Sequence, residues 1–254
     1  MNAVFTEKLV KKYGNTVAVN GLDLKIEQGE LYSLLGVNGA GKSTTIKILS
    51  ALVRPDGGKA EIFGKDVVKN AAEVKGMLNV SPQESAVAAN LTVWENLAFI
   101  AEIYGFSKAQ AKEKAEKTIE EFSLEEVRNK RAKTLSGGYA RRLSIAMALI
   151  SEPKLLFLDE PTLGLDVIAR SSLWKIIEGL KGKMTILLTT HYMEEAEELS
   201  DRIGVMVKGS LAAEGTAREL TEKCFAKDFT EAFIKISQGD FCEKKAAFAE
   251  KESE

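Results

Sequence analysis

Cysteine and histidine are nearly absent from this chain. Its 254 residues include two cysteines, Cys224 and Cys242, and a single histidine, His191. Two thiols are too few for a disulfide framework or a metal cage, and they point to a reducing compartment. Any imidazole chemistry must pass through His191. An excess of charge of one sign is missing as well. The 35 Lys and Arg stand against 37 Asp and Glu, a net charge of −2. That balance argues against a protein whose main task is to coat nucleic acid or an anionic lipid. No apolar run approaches the ~20 residues needed to span a bilayer. The first residues, MNAVFTEKLVKKYG, lack an apolar core and a small-residue cleavage site, so no secretory signal is expected. There is no internal repeat. What is present is ordinary globular composition, 45% hydrophobic and 28% charged, which excludes wholesale disorder. The length suits one large domain or two small ones.

The chain begins with strand patterns. Leu22, Leu24 and Ile26 alternate with Asp23, Lys25 and Glu27, the period-2 signature of a half-buried strand. Turn signals stand at Tyr13-Gly14-Asn15 and Gln28-Gly29. A short apolar strand, Leu31 to Leu35, runs into a glycine-rich turn, and residues 43–53 read as a helix with Ile46, Leu49 and Val53 on one face. Pro55-Asp56-Gly57-Gly58 breaks it. From Asn90 to Ile150 the pattern is helical. Thr92…Glu95, Ser107…Gln110 and Ser123…Glu126 each have the spacing of a capping box. Val93, Leu97, Ile100 and Tyr104 form one core-facing stripe, and Leu143, Ala146, Met147 and Ile150 another. Strands then return. Leu155 to Leu158 and Met184 to Leu188 are continuous apolar runs, as central parallel strands buried on both faces require. Between them, Leu173, Ile176, Ile177 and Leu180 make a helical face. Residues 203–207 and 211–213, split by Lys208-Gly209, read as a hairpin. From about Cys224 a short helical piece leads to a charged end, EKKAAFAEKESE, expected to be solvated.

The strongest chemical signal is Gly36-Val37-Asn38-Gly39-Ala40-Gly41-Lys42-Ser43-Thr44, which fits G-x-x-x-x-G-K-[ST] between a predicted strand and a predicted helix. Glycines let the backbone curl so that successive N–H groups face phosphate oxygens, and the helix N-terminus adds positive potential. Lys42 is spaced to reach the β and γ phosphates and the Ser43 hydroxyl to ligate Mg²⁺. Such a loop serves kinases, GTPases and many ATPases alike. A second element narrows the choice: the apolar run ends in Asp159-Glu160, where one carboxylate is placed to hold Mg²⁺ and the next suits a general base acting on water. The third is Leu135-Ser136-Gly137-Gly138-Tyr139 before a strong helix, a second anion-binding helix N-terminus with no lysine of its own.

Taken together, residues 1–220 resemble the ATP-binding cassette (ABC) superfamily. The resemblance implies an α/β fold: a P-loop NTPase cassette with a mixed β core, an antiparallel β subdomain and a helical subdomain inserted at about 84–150, followed by a short C-terminal extension over 221–254. It implies two cassettes closing head to tail around two ATP molecules, as a homodimer or with a paralogue. Carried over by position, Gly36, Asn38, Gly39, Ala40, Gly41, Lys42, Ser43 and Thr44 hold the phosphates, and Tyr13 stacks on adenine. Ser43, Gln83 and Asp159 hold Mg²⁺, with Gln83 also facing the membrane partner. Glu160, His191 and Lys42 form the catalytic group. Ser136, Gly137, Gly138 and Asp166 reach the nucleotide of the opposing cassette. Two departures stand out. Tyr139 occupies the place where the signature usually has Gln, and Val37 replaces a frequent proline.

The resemblance further implies ATP hydrolysis driving a separate transmembrane permease, no nucleic-acid partner, and a cytoplasmic position on the inner face of the cell membrane. The segments His191 to Glu197, Asp201-Arg202-Ile203 and Gly215-Thr216, with the tail Asp228 to Ile234, look like the drug and type-2 exporter branch. Three rivals stay open on the residues alone. One is a soluble ABC ATPase that assembles a macromolecular or iron–sulfur complex. Another is a P-loop kinase, which leaves the signature turn and His191 without roles. The third is a nucleotide binder without turnover.

Overall fold

The structure is a computed structural model and describes residues 1–239, so Cys242 and the charged end lie outside the described residues. Two sheets organise it. The core sheet has six strands in the order β10-β9-β3-β8-β7-β6, formed by β3 (Leu31–Leu35), β6 (Leu78–Ser81), β7 (Leu155–Asp159), β8 (Thr185–Thr190), β9 (Arg202–Val207) and β10 (Ser210–Gly215). Its pairings are parallel except for the closing β9–β10 hairpin, so it is mixed. The second sheet is antiparallel in the order β2-β1-β4-β5, from β1 (Asn2–Tyr13), β2 (Thr16–Glu27), β4 (Gly57–Ile62) and β5 (Lys65–Asp66).

The continuous apolar runs become central strands because both of their faces are covered. Side chains alternate across a strand, and each run splits between two cores. Leu31, Leu156, Leu158, Ile186 and Leu188 pack under α3 (Val93–Ile103), α4 (Lys108–Glu121), α5 (Gly137–Leu149) and α6 (Val167–Glu178). Leu34, Phe157 and Leu187 face the other way, with Ile46, Ile48 and Leu49 of α1 (Lys42–Leu49) and Leu22, Leu24 and Ile26 of β2. The segment between β6 and β7 is thus mostly helical, containing α3, α4 and α5. A third cluster seats α7 (Met193–Leu199), α8 (Ala217–Lys223) and α9 (Phe229–Gln238) beside β9 through Ala196, Leu220, Phe229 and Phe233.

Some local expectations are corrected. The first helix stops at Leu49 rather than near Val53, because Ala51 turns left-handed (φ 54°) and the Leu52 N–H returns to the Lys47 carbonyl at 2.9 Å. Thr92…Glu95 and Ser107…Gln110 form full capping boxes. Ser123…Glu126 does not: Ser123 is left-handed (φ 49°) and only a short 3₁₀ turn follows. A third box forms instead at Thr216…Glu219. Tyr104 leaves the core stripe of α3 and is half exposed. Its hydroxyl donates to Asn79 at 2.6 Å, and Ala98 and Ala101 take the buried face.

Candidate active site

Parallel pairing brings three strand ends level. Leu35 of β3 pairs with Thr190 of β8, and Thr189 of β8 with Asp159 of β7. The residues that follow, Gly36, His191 and Glu160, therefore emerge side by side at the carboxyl edge of the sheet, where open α/β sheets bind ligands.

The Gly36–Thr44 turn is shaped by its glycines. A Cβ on Gly36 would stand 2.5 Å from the Met206 carbonyl oxygen. One on Gly41 would overlap the Ala18 carbonyl oxygen and stand 2.8 Å from Met206 Cε. Gly39 and Gly41 have φ of 81° and 106°, values that L side chains rarely adopt. Gly41 is also the N-cap of α1 and supplies no side-chain cap, and the first turn has no acidic residue. The leading N–H groups of the helix thus remain available to an anion. This cradle, closed to a side chain at Gly36 and Gly41, fits a chain of phosphates.

A buried ionic cluster sits beside it. Lys42 Nζ donates to the Gly36 carbonyl at 2.6 Å and lies 3.2 Å from Glu160 Oε1. Glu160 Oε2 lies 2.9 Å from His191 Nδ1. Glu160 has a left-handed backbone (φ 47°), and its N–H donates to the Thr189 carbonyl at 3.0 Å. Asp159 Oδ1 accepts from the Thr189 hydroxyl at 2.6 Å and from the Ser43 hydroxyl at 3.0 Å. Ser43 and Asp159 together offer the hard oxygen donors that suit Mg²⁺. No cluster of three or more His, Cys, Asp or Glu able to hold a metal occurs among the described residues.

The remaining candidates lie around this cluster. Tyr13 ends β1 with its ring half exposed and the Lys11 ammonium 5.5 Å from its centre. It pairs with Thr16, two residues before the Ala18 that borders Gly41. Gln83 is exposed in the loop after β6, and its side chain has no hydrogen bond to Ser43 or Asp159 among the described residues. Ser136 caps α5 by accepting from the Tyr139 N–H at 3.5 Å. Gly138 lets the turn approach α6, since a Cβ there would stand 3.0 Å from Ala169 Cβ. Asp166 caps α6, accepting from the Ala169 N–H at 2.8 Å. No hydrogen bond joins the Ser136–Tyr139 turn to the Gly36–Thr44 turn among the described residues. The Tyr139 hydroxyl reaches Glu126 at 3.2 Å, and Arg142 stacks over its ring.

Three residues of the site were not singled out from the sequence. Thr189 holds both Asp159 and the Glu160 backbone. Arg141 is buried and donates to the carbonyls of Pro82 (2.5 Å), Gln83 (2.8 Å) and Glu160 (2.9 Å). Burial pulls its pKa down against the opposing pull of Asp159, Glu195 and Glu160. Glu195 is buried on α7, accepts from the Trp174 indole at 3.1 Å, and has its pKa raised by burial. The signal for Arg141 was available: it shares a helical face with the buried Ile145 and Ala148, a spacing at which a charge needs partners.

A comparison with known families matches residues 19–163 to the family described as ABC transporter. The chain is 47% identical over 219 residues to the daunorubicin/doxorubicin resistance ATP-binding protein DrrA of Streptomyces peucetius, covering 86% of this chain and 66% of that one. It is 39% identical over 218 residues to the linearmycin resistance ATP-binding protein LnrL of Bacillus subtilis, covering 85% and 70%. It thus spans about two thirds of the length of these relatives. A solved ATP-binding subunit of an ABC transporter superposes with a TM-score of 0.81 at 28% identity, covering 92% of this chain and 99% of that one.

Proposed function

This chain belongs to the ABC transporter family, and from that premise we propose that it is the ATP-hydrolysing subunit of an exporter whose membrane-spanning permease is a separate chain. One observation carries the proposal: Lys42, Glu160 and His191, which follow three adjacent strands, form one connected cluster beside a glycine cradle. ATP is the substrate. The cradle N–H groups and Lys42 bind its β and γ phosphates, and Tyr13 gives a flat rim for the adenine. When phosphates engage Lys42 they replace the Glu160 carboxylate on its ammonium, which leaves Glu160 free to face water. Glu160 then accepts the proton of the water whose oxygen attacks the γ-phosphorus, as the bond to the ADP oxygen breaks. His191 holds that carboxylate in line. Ser43, Asp159 and Gln83 would hold Mg²⁺, whose charge offsets that of the phosphates.

The Ser136–Gly138 turn has N–H donors but no cation, so it suits the γ-phosphate of a second cassette. With three charged hydrogen bonds at about 1.5–3 kcal/mol each, one phosphate contributes roughly 5–9 kcal/mol. Association costs about 4–15 kcal/mol. Two phosphates therefore decide whether the pair closes, and hydrolysis reopens it. Phe99, Ile103 and Tyr104 form an exposed apolar face on α3, and Tyr104 is bonded to Asn79 of the strand that leads into the Gln83 loop. This face suits a permease and would hold the subunit on the cytoplasmic side of the membrane. The names of DrrA and LnrL, which carry daunorubicin/doxorubicin resistance and linearmycin resistance, support export; the permease would select the cargo.

The test is Glu160→Gln. It should retain ATP-dependent pairing while hydrolysis falls about 10²–10⁴-fold. Native turnover in this variant would refute the base, and full-rate hydrolysis by a strictly monomeric chain would refute the paired site.

A further inference from the structure

We propose that Arg141 is a positioning residue that locks Glu160 to the Gln83 loop, so that the base is aligned only while that loop is seated. The inference rests on Glu160 being the base.

A buried guanidinium is costly when its partners are not carboxylates. All three hydrogen-bonded partners of Arg141 are backbone carbonyls, those of Pro82, Gln83 and Glu160. If helix packing were its only task, an apolar side chain of similar volume would be neutral or better. The guanidinium provides what an apolar chain cannot, a planar fork of donors able to hold several acceptors in fixed directions. Its acceptors belong to two separate segments. One is the loop between β6 and α3, and the other is the single residue that carries the base.

Glu160 is the residue most in need of such support. Its backbone is left-handed at φ 47°, a conformation that is unfavourable for a side-chain-bearing residue and persists only when its neighbours fix it. Its N–H is held by Thr189, and its carbonyl accepts from Arg141 and, at 3.2 Å, from the Leu163 N–H. Without Arg141 the carbonyl keeps only the Leu163 N–H, which belongs to the same short turn, and its tie to the Gln83 loop is lost. The carboxylate, now 3.2 Å from Lys42 Nζ and 2.9 Å from His191 Nδ1, would then lose its bearing. Arg141 also sits one turn into the helix that begins at the Ser136–Gly138 turn. Movement of the loop or of the signature helix therefore reaches Glu160 through a side chain that does not touch nucleotide.

The test compares Arg141→Met and Arg141→Lys in the full chain, with steady-state ATPase kinetics and hydrogen exchange. Misalignment of a reacting group costs about 10²-fold, so the Met variant should lose about that much in kcat, with KM for ATP within about threefold of native. The Lys variant, which keeps a donor but not the fork, should fall between the two. Amides 83–91 should exchange faster in both variants, with those of 36–44 unchanged. Native kcat in both variants, or no change in exchange over 83–91, overturns the proposal. So does a fall in kcat matched by a rise in KM and a lower melting temperature, the mark of a general folding role. If the Met variant does not fold, the Lys variant and its exchange pattern decide. Glu160→Gln runs alongside: native turnover there defeats the base assignment, whereas an inactive Glu160→Gln with a native Arg141→Met defeats only the role of Arg141.

Discussion

Alanine at the three glycines of the phosphate cradle should weaken ATP binding by different amounts, for different reasons. Gly39 has φ 81° and open space around its Cβ position, so Gly39→Ala meets only backbone strain. A left-handed L residue costs about 1–2 kcal/mol. The free loop relaxes out of that region and phosphate must pull it back, which weakens binding by about 5–30-fold. Gly41 combines φ 106° with overlap on the Ala18 carbonyl and a 2.8 Å approach to Met206 Cε. The start of α1 must move away from β2, and the N–H groups it presents move with it. Loss of two hydrogen bonds to phosphate, at about 1.5–3 kcal/mol each, amounts to about 3–6 kcal/mol. At ~1.4 kcal/mol per decade, Gly41→Ala should bind about 10²–10⁴-fold more weakly. Gly36 isolates the steric part: its φ is ordinary, yet its Cβ would stand 2.5 Å from the Met206 carbonyl, so Gly36→Ala should also bind more weakly than Gly39→Ala. Titration with a fluorescent ATP analogue at fixed Mg²⁺, alongside melting curves, measures the series. A Gly41→Ala dissociation constant below that of Gly39→Ala would refute the steric reasoning.

Other outcomes follow from single side chains. Burial raises the Glu195 pKa against the opposing pull of the Trp174 indole hydrogen bond and the Arg170 charge. The native chain therefore keeps a proton that the unfolded chain has already released. Stability should fall as pH rises from the ordinary glutamate range through the raised native value. Glu195→Gln should flatten the melting temperature over that window, and an unchanged slope would assign the pH dependence elsewhere. Asp166 caps α6 and is also proposed to reach the opposing nucleotide. Asp166→Asn keeps the cap, whereas Asp166→Ala should cost about 0.5–2 kcal/mol of stability. If Asp166→Asn keeps both native stability and native kcat, Asp166 is a cap and nothing more.

Most of the element types were local facts and hence legible. The alternation in Leu22-Leu24-Ile26, the apolar runs at 155–158 and 184–188, and the caps at Thr92 and Ser107 each depend on a few neighbouring residues. Where a neighbour elsewhere in the fold intervened, the pattern misled. Tyr104 has helical stripe spacing, but its hydroxyl found Asn79, and Ser123 has capping spacing in a chain that turns left-handed.

The sequence alone determined the ATP-binding cassette family and its fold, because the phosphate loop, the signature turn and the acidic strand end are contiguous words whose geometry is set within a few residues. Only the tertiary structure decided which of these words touch. Parallel register set Leu35 level with Thr190 and Asp159 level with Thr189, so that Lys42 and His191 meet on the two oxygens of Glu160. It also turned one arginine of the signature helix inward onto three carbonyls from two distant segments. A buried charge takes whatever acceptors the packed chain brings within reach, and no spacing rule along the sequence encodes that choice.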